Sequence, residues 1–184
     1  MAALLFMAIT ACNSPASKDE SAMGADKSAQ ETNKEAMRQI FKAFETGDAS
    51  QIDNYIAPNA VEHTPDPNIT SEGSQRVKDA IAMYHTAFPQ SKVEIMNITA
   101  EGDMVTAQFR WTGTNSGPMG SMPATNKTMD ITGVDIVRFE NGKGVEHWGY
   151  WEEGKMMAQL GMAPPPQNMA EGDHSKMNEM QEKK

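Results

Sequence analysis

The stretch that decides the fold is Thr128-Met-Asp-Ile-Thr-Gly-Val-Asp135-Ile-Val-Arg-Phe-Glu140, then Asn141-Gly142, then Lys143-Gly-Val-Glu146-His-Trp148-Gly-Tyr-Trp151. Residues of alternating character flank Asn141-Gly142, the strongest short signal for a two-residue hairpin turn, because both its positions tolerate positive φ. With that turn Glu140 pairs with Lys143, and counting outward places Phe139 opposite Gly144, Val137 opposite Glu146, Asp135 opposite Trp148 and Gly133 opposite Tyr150. Cross-strand partners share a side of a sheet. One face is therefore expected to carry Ile131, Asp135, Val137 and Phe139 with Glu146, Trp148 and Tyr150. The other carries Thr132, Val134, Ile136 and Arg138 with Val145, His147 and Trp151. Both are partly apolar, which predicts a sheet covered on both sides.

Working outward, Val93–Ala100 and Met104–Thr114 flank Glu101-Gly102-Asp103 and read as a second antiparallel hairpin, with Val105, Ala107, Phe109 and Trp111 on one face. Before Pro89 the period is helical. Thr32-Asn33-Lys34-Glu35 is a capping-box pattern, followed by Met37, Ile40, Phe41 and Phe44 at helical spacing, with Gly47 in position to end the helix. Asp48 caps a short helical piece through Ile52, Tyr55 and Ile56. Val61-Glu62-His63-Thr64-Pro65 reads as a brief strand or extended turn, since Pro65 drives Thr64 to extended backbone. Ser74 to Phe88 forms a second amphipathic helix that Pro89 stops, and Gly154–Leu160 a short closing one. Helices followed by a curved antiparallel sheet define an α+β domain, which spans residues 31–162.

The ends differ in composition. The run Met1-Ala-Ala-Leu-Leu-Phe-Met-Ala-Ile9-Thr-Ala-Cys12 is shorter than the ~20 apolar residues that cross a bilayer as a helix. It resembles the end of a secretory signal closing in a bacterial lipobox, so residues 1–12 are read as a signal and lipobox remnant with Cys12 as the lipidated residue. That reading implies a lipid-anchored protein of the bacterial cell envelope, at the membrane through its acyl chains only. Residues 13–30 carry almost no large apolar side chains and are read as a flexible tether, and 163–184, opening with Pro164-Pro165-Pro166, as a disordered tail.

Composition removes several function classes. Sixteen Lys and Arg against 25 Asp and Glu give a net charge of −9, which excludes nucleic acid as the expected partner because phosphate recognition needs clustered cations. A single cysteine among 184 residues excludes an internal disulfide framework or a thiolate zinc site. The four histidines lack metal-ligand spacing, and no phosphate loop, dinucleotide fingerprint or nucleophile elbow is present. No metal is expected.

What remains is the acid in the decisive hairpin. A carboxylate among Val, Phe, Ile and Trp loses hydration, which disfavours its charged form, and a second acid, Glu146, opposes ionisation further. Such surroundings make Asp135 a candidate general acid/base; the same spacing also suits an Asp paired with a cation or set at a wet cavity rim. Asp130 is the other acid of that strand, on the opposite face by alternation.

The ordered set Trp111-Thr-Gly-Thr-Asn115, Gly117, Gly120, Pro123, Thr125-Asn126-Lys127, Asp135-Ile-Val-Arg138, Asn141-Gly-Lys143, Glu146-His-Trp148 and Gln159-Leu-Gly161, preceded by Glu62-His63, Gly73, Tyr84 and Phe88-Pro89, resembles the SnoaL-like polyketide cyclases of the nuclear transport factor 2-like superfamily. Where that family reads Gly-Thr-His, this chain has Gly113-Thr114-Asn115. The resemblance implies a cone-shaped α+β barrel whose curved sheet wraps around N-terminal helices and encloses a cavity. It further implies cofactor-independent general acid/base chemistry on a small apolar carbonyl compound, with Asp135 as proton carrier and Glu146 or His63 assisting. Tyr84, Phe88, Trp111, Asn115 and Trp148 are then the ligand-binding residues. Relatives dimerise through the outer sheet face, which makes a homodimer an expectation. The alternative is a non-catalytic ligand-binding or dimerising module of the same fold at the cell envelope.

Overall fold

The computed structural model describes residues 17–162, so the expected lipidation site Cys12 and the tail 163–184 lie outside the described residues. The first helix, α1 (Ser17–Thr46), begins well before the capping-box pattern. Thr32 is no cap: its hydroxyl donates to the Ser28 carbonyl at 2.9 Å, in mid-helix. Residues 17–30, expected as a tether, are thus helical. Ala, Lys, Glu, Gln and Met favour helix without a core, and pairs such as Gln30 Nε2 on Asp26 Oδ2 at 3.0 Å add to it. The apolar stripe comes later, where Ala36, Met37, Ile40, Phe41 and Ala43 are buried.

A single turn, α2 (Ile52–Tyr55), leads directly into β1 (Ile56–Glu62), and α3 (Gly73–Ala87) follows. The two hairpins are β2 (Lys92–Glu101) with β3 (Met104–Thr114), and β4 (Thr128–Glu140) with β5 (Lys143–Trp151); α4 (Glu153–Leu160) closes the described chain. The sheet order is β1-β5-β4-β3-β2. Four strands are antiparallel as expected, but β1 runs parallel to β5, so the curved sheet is mixed. Helix α1 packs on β2 and β3, α3 on β1, and α4 on β4. The sheet and these helices form the α+β cone expected from the resemblance. Phe41 of α1 meets Phe109 of β3 with ring centroids 5.3 Å apart, near the centre of one core cluster.

The Asn141-Gly142 turn forms as its sequence demands, with φ of 50° and 77°. One pair beyond it, the counted register fails. Phe139 pairs with Gly144, but Arg138 then pairs with Glu146, so Val145 is an extra residue in β5. Such a bulge moves every later side chain of the strand to the opposite face. Val137 therefore faces His147, Asp135 faces Gly149, and Gly133 faces Trp151, while Glu146, Trp148 and Tyr150 join Arg138, Ile136 and Val134 on the other side. The expected grouping of Asp135 with Glu146 and Trp148 is overturned.

The inner face of this hairpin is packed, with Val137 and Phe139 among the buried core. None of the outer-face residues Thr132, Val134, Ile136, Trp148 and Tyr150 is buried, and Tyr150 is 57% exposed. The expectation of cover on both sides thus fails for the single chain. The open side is the one on which the resemblance places a homodimer contact.

Candidate functional site

Between α1, α3 and the inner sheet face lies a cavity of about 160 Å³. Its walls are mostly apolar, with Met37, Phe41 and Phe44 from α1, Val77 and Tyr84 from α3, and Phe109, Trp111 and Trp151 from the sheet. Polar groups enter chiefly along β1, the following loop and the β4–β5 hairpin, and the bulge at Val145 decides which ones do so.

His147 is the centre of that polar group. Its Nδ1 lies 2.6 Å from Glu62 Oε2, and its Nε2 lies 3.5 Å from Asp135 Oδ1. The first contact is a short charge-assisted hydrogen bond; the second is beyond a good one. Glu62 is oriented in turn, since its Oε1 accepts from the Thr64 amide at 2.9 Å and the Thr64 hydroxyl at 3.0 Å. The Thr64 hydroxyl oxygen accepts from the Gly149 amide at 2.7 Å, which ties the segment after β1 to β5. The parallel register of Glu62 with His147 puts both side chains on the inner side. Gly149 leaves the room: a Cβ there would lie 3.0 Å from His147 Cε1 and 3.1 Å from Asp135 Oδ1.

Burial by itself would lower the His147 pKa, but the neighbouring Asp135 and Glu62 carboxylates outweigh it and raise the value to about 10. The ring is therefore an imidazolium at neutral pH. Glu62 is pulled the opposite way. Burial would raise its pKa, yet the bonds from His147 and Thr64 hold it below the ordinary carboxylate value. Across the cavity, the Tyr84 hydroxyl donates to Asp66 Oδ2 at 2.7 Å, and burial together with that carboxylate pushes the phenol pKa up.

The structure brings Asp135, Tyr84, Trp111 and part of Glu146 of the expected site residues to the cavity, and disperses the others. Glu146 touches the cavity wall, but its carboxylate is committed elsewhere. It accepts from Arg138 Nε at 2.7 Å and Nη2 at 2.5 Å and lies 2.8 Å from His63 Nε2. His63 and Arg138 hold its pKa below the ordinary range. His63 stacks on Trp148 at 4.4 Å with rings 5° from parallel, and neither lines the cavity. Phe88 is fully buried in the cluster with Met129, Ile131 and Leu160 and is also absent from the lining.

Asn115 likewise has a different task. Its amide donates to the Gly117 carbonyl at 2.8 Å, and its Oδ1 accepts from the Thr125 amide at 2.8 Å and hydroxyl at 3.1 Å. Fully buried, it fastens the loop between β3 and β4 and does not face the ligand space. Asp130 forms a two-pronged pair with Arg110, Nε to Oδ1 at 2.8 Å and Nη2 to Oδ2 at 2.6 Å, on the face opposite Asp135 as alternation predicts.

Sequence reasoning did not place Glu62, Thr64 and His147 together at this cavity, nor Arg76 of α3 in its wall. The signal present was Gly133 and Gly149, two positions without side chains on the face of Asp135 once the bulge is counted. Among the described residues, no group of three or more His, Cys, Asp and Glu is arranged to hold a metal, and no helix is long and apolar enough to cross a membrane.

The model of the SnoaL-like polyketide cyclases matches residues 34–160, which encloses the whole cavity, and the chain belongs to that family. Solved structures agree on the fold. TsrD from Streptomyces laurentii is 22% identical with a TM-score of 0.65, the match covering 71% of this chain and 96% of that one. IdmH from Streptomyces antibioticus, a candidate polyketide cyclase, is 25% identical with a TM-score of 0.61 over 70% of this chain and 98% of its own. AclR from Streptomyces galilaeus, a candidate hydroxylase, is 26% identical with a TM-score of 0.61 over 72% and 97%. Among curated proteins none matches this sequence. The spread of assigned activities within one fold leaves the chemistry to be argued from the side chains.

Proposed function

We propose that this protein moves a proton at the carbon next to a carbonyl group in a small apolar compound. Asp135 is the general base that takes the proton and returns it as general acid. His147 Nε2–H is the donor that steadies the negative charge developing on the carbonyl oxygen. Glu62 is a positioning residue: it occupies Nδ1 and keeps the ring charged and oriented. In a substrate with a second carbonyl within reach, the carbanion equivalent closes a ring and the proton ends on the new hydroxyl.

The observation that carries this reading is the loose end of the Glu62–His147–Asp135 row. Nδ1 is tightly bonded at 2.6 Å, whereas Nε2 stands 3.5 Å from Asp135 in an apolar cavity. That leaves an N–H and a carboxylate side by side, both free to engage one ligand. The expected helpers Glu146 and His63 have no part in it.

The test is exchange of the α-hydrogens of acetophenone and 1-indanone in D2O, followed by NMR. Asp135→Asn lowers the protein-dependent rate by roughly 10²–10⁴-fold while the circular dichroism spectrum stays that of the wild type. Undiminished exchange in a folded Asp135→Asn protein rejects the role.

A further inference from the structure

Arg76 has no place in that proton-transfer row, yet it lines the same cavity. Its Nη1 is buried and has no hydrogen-bond partner among the described residues. Two cations line the cavity, and they are treated differently. His147 lies between the carboxylates of Glu62 and Asp135, whereas no carboxylate among the described residues lies within ion-pair distance of Arg76.

The other acids of the wall are already engaged. Asp66 accepts from Tyr84 and from the Asn68 amide, and Glu146 from Arg138. A second orphan lines the same space, since Trp111 Nε1 is buried without a partner among the described residues. Buried N–H donors are nearly always satisfied, and Nη1 is the buried end of a guanidinium that is otherwise partly exposed. Two unpartnered donors on one apolar cavity mark the positions where a ligand brings oxygen atoms.

We propose that the cavity takes a small carboxylic acid, its carboxylate bound by the Arg76 guanidinium and an oxygen of the same molecule accepting from Trp111 Nε1–H. The planar fork of Arg suits a carboxylate in a way that a point charge does not. A volume of about 160 Å³ fits one aromatic ring or a short chain between the apolar walls. This names the substrate class of the proposed function and rests on that cavity being its ligand site, but not on Asp135 moving a proton.

The test is calorimetric titration of the full chain with benzoate and phenylacetate, each against its uncharged amide. The wild type binds at least one of the carboxylates about ten-fold more tightly than the matching amide, as one charge-assisted contact predicts. Arg76→Gln brings that ratio to near one. Arg76→Lys, which retains the charge without the fork and guards against a misfolded glutamine variant, gives an intermediate ratio.

Asp135→Asn retains the carboxylate preference even where α-hydrogen exchange is lost, so failure of the proton-transfer reading and failure of this one are separate results. Equal binding of acid and amide by the wild type, a preference that persists in folded Arg76→Gln, or no binding of any of these probes at millimolar concentration overturns the proposal.

Discussion

His147 and His63 each bind a glutamate, but on opposite faces of the same hairpin. His147 meets Glu62 at 2.6 Å inside the cavity, and His63 meets Glu146 at 2.8 Å on the side that no element of the described chain covers. The inner pair is half-buried and joined by a second carboxylate, and its histidine is pushed up to about 10. The outer pair shares its carboxylate with Arg138 and lies beside the half-buried Trp148. The two pairs are similarly exposed, so what sets the inner histidine apart is the second carboxylate that faces its other ring nitrogen. Residue types alone do not make a site. The face they occupy does.

Inserting one residue between Val145 and Glu146 is the most severe way to break this contrast. With the bulge kept at its present size the strand beyond it slips by one position, which turns Glu146, Trp148 and Tyr150 inward and His147 and Trp151 outward. We expect a loss of more than about 4 kcal/mol of stability or outright failure to fold, read from urea denaturation. An insertion that is tolerated with little loss would show that the bulge absorbs a further residue and that the face assignment is soft.

A milder change isolates the inner pair. The His147 pKa is raised from its ordinary 6.5 to about 10 in the folded protein. Its contribution to stability is therefore fully present below pH 6.5 and is lost as the pH climbs through the folded value near 10. The wild-type Tm should fall across that alkaline window, and His147→Gln should show a shallower fall. Parallel curves for the two proteins would contradict the charged ring.

The smallest effect belongs to the outer pair. His63→Ala removes an exposed partner of Glu146, which keeps its bonds from Arg138. Stability should change by less than about 1 kcal/mol, and α-hydrogen exchange and benzoate binding should stay at wild-type levels. A marked loss of either activity would return His63 to the site.

Much of this was legible in the residues. Alternation placed β3, β4 and β5, the Asn141-Gly142 turn formed where its tolerance of positive φ requires, and Val105, Ala107 and Phe109 share the buried side of β3. Asp135 lies in an apolar cavity with Tyr84 and Trp111, as the hairpin and the family pattern implied. The rest failed for identifiable reasons. Thr32–Glu35 has the composition of a cap but lies inside a continuous helix, which begins at Ser17 and runs on through Gly24. Asn115 stands where relatives carry a histidine, yet in this chain its amide is consumed by the loop it fastens.

By itself the sequence determined the α+β class, the order of its elements and the presence of an acid among apolar neighbours, since these follow from periodicity and turn chemistry, which are local. Only the tertiary structure decided that Asp135 faces His147 and Glu62 and that Glu146 faces away. That choice depends on one inserted residue in β5 and on a strand pairing between residues far apart in the chain. A strand repeats every two residues, so an uncertainty of a single position in register exchanges its entire set of inward side chains for the outward one.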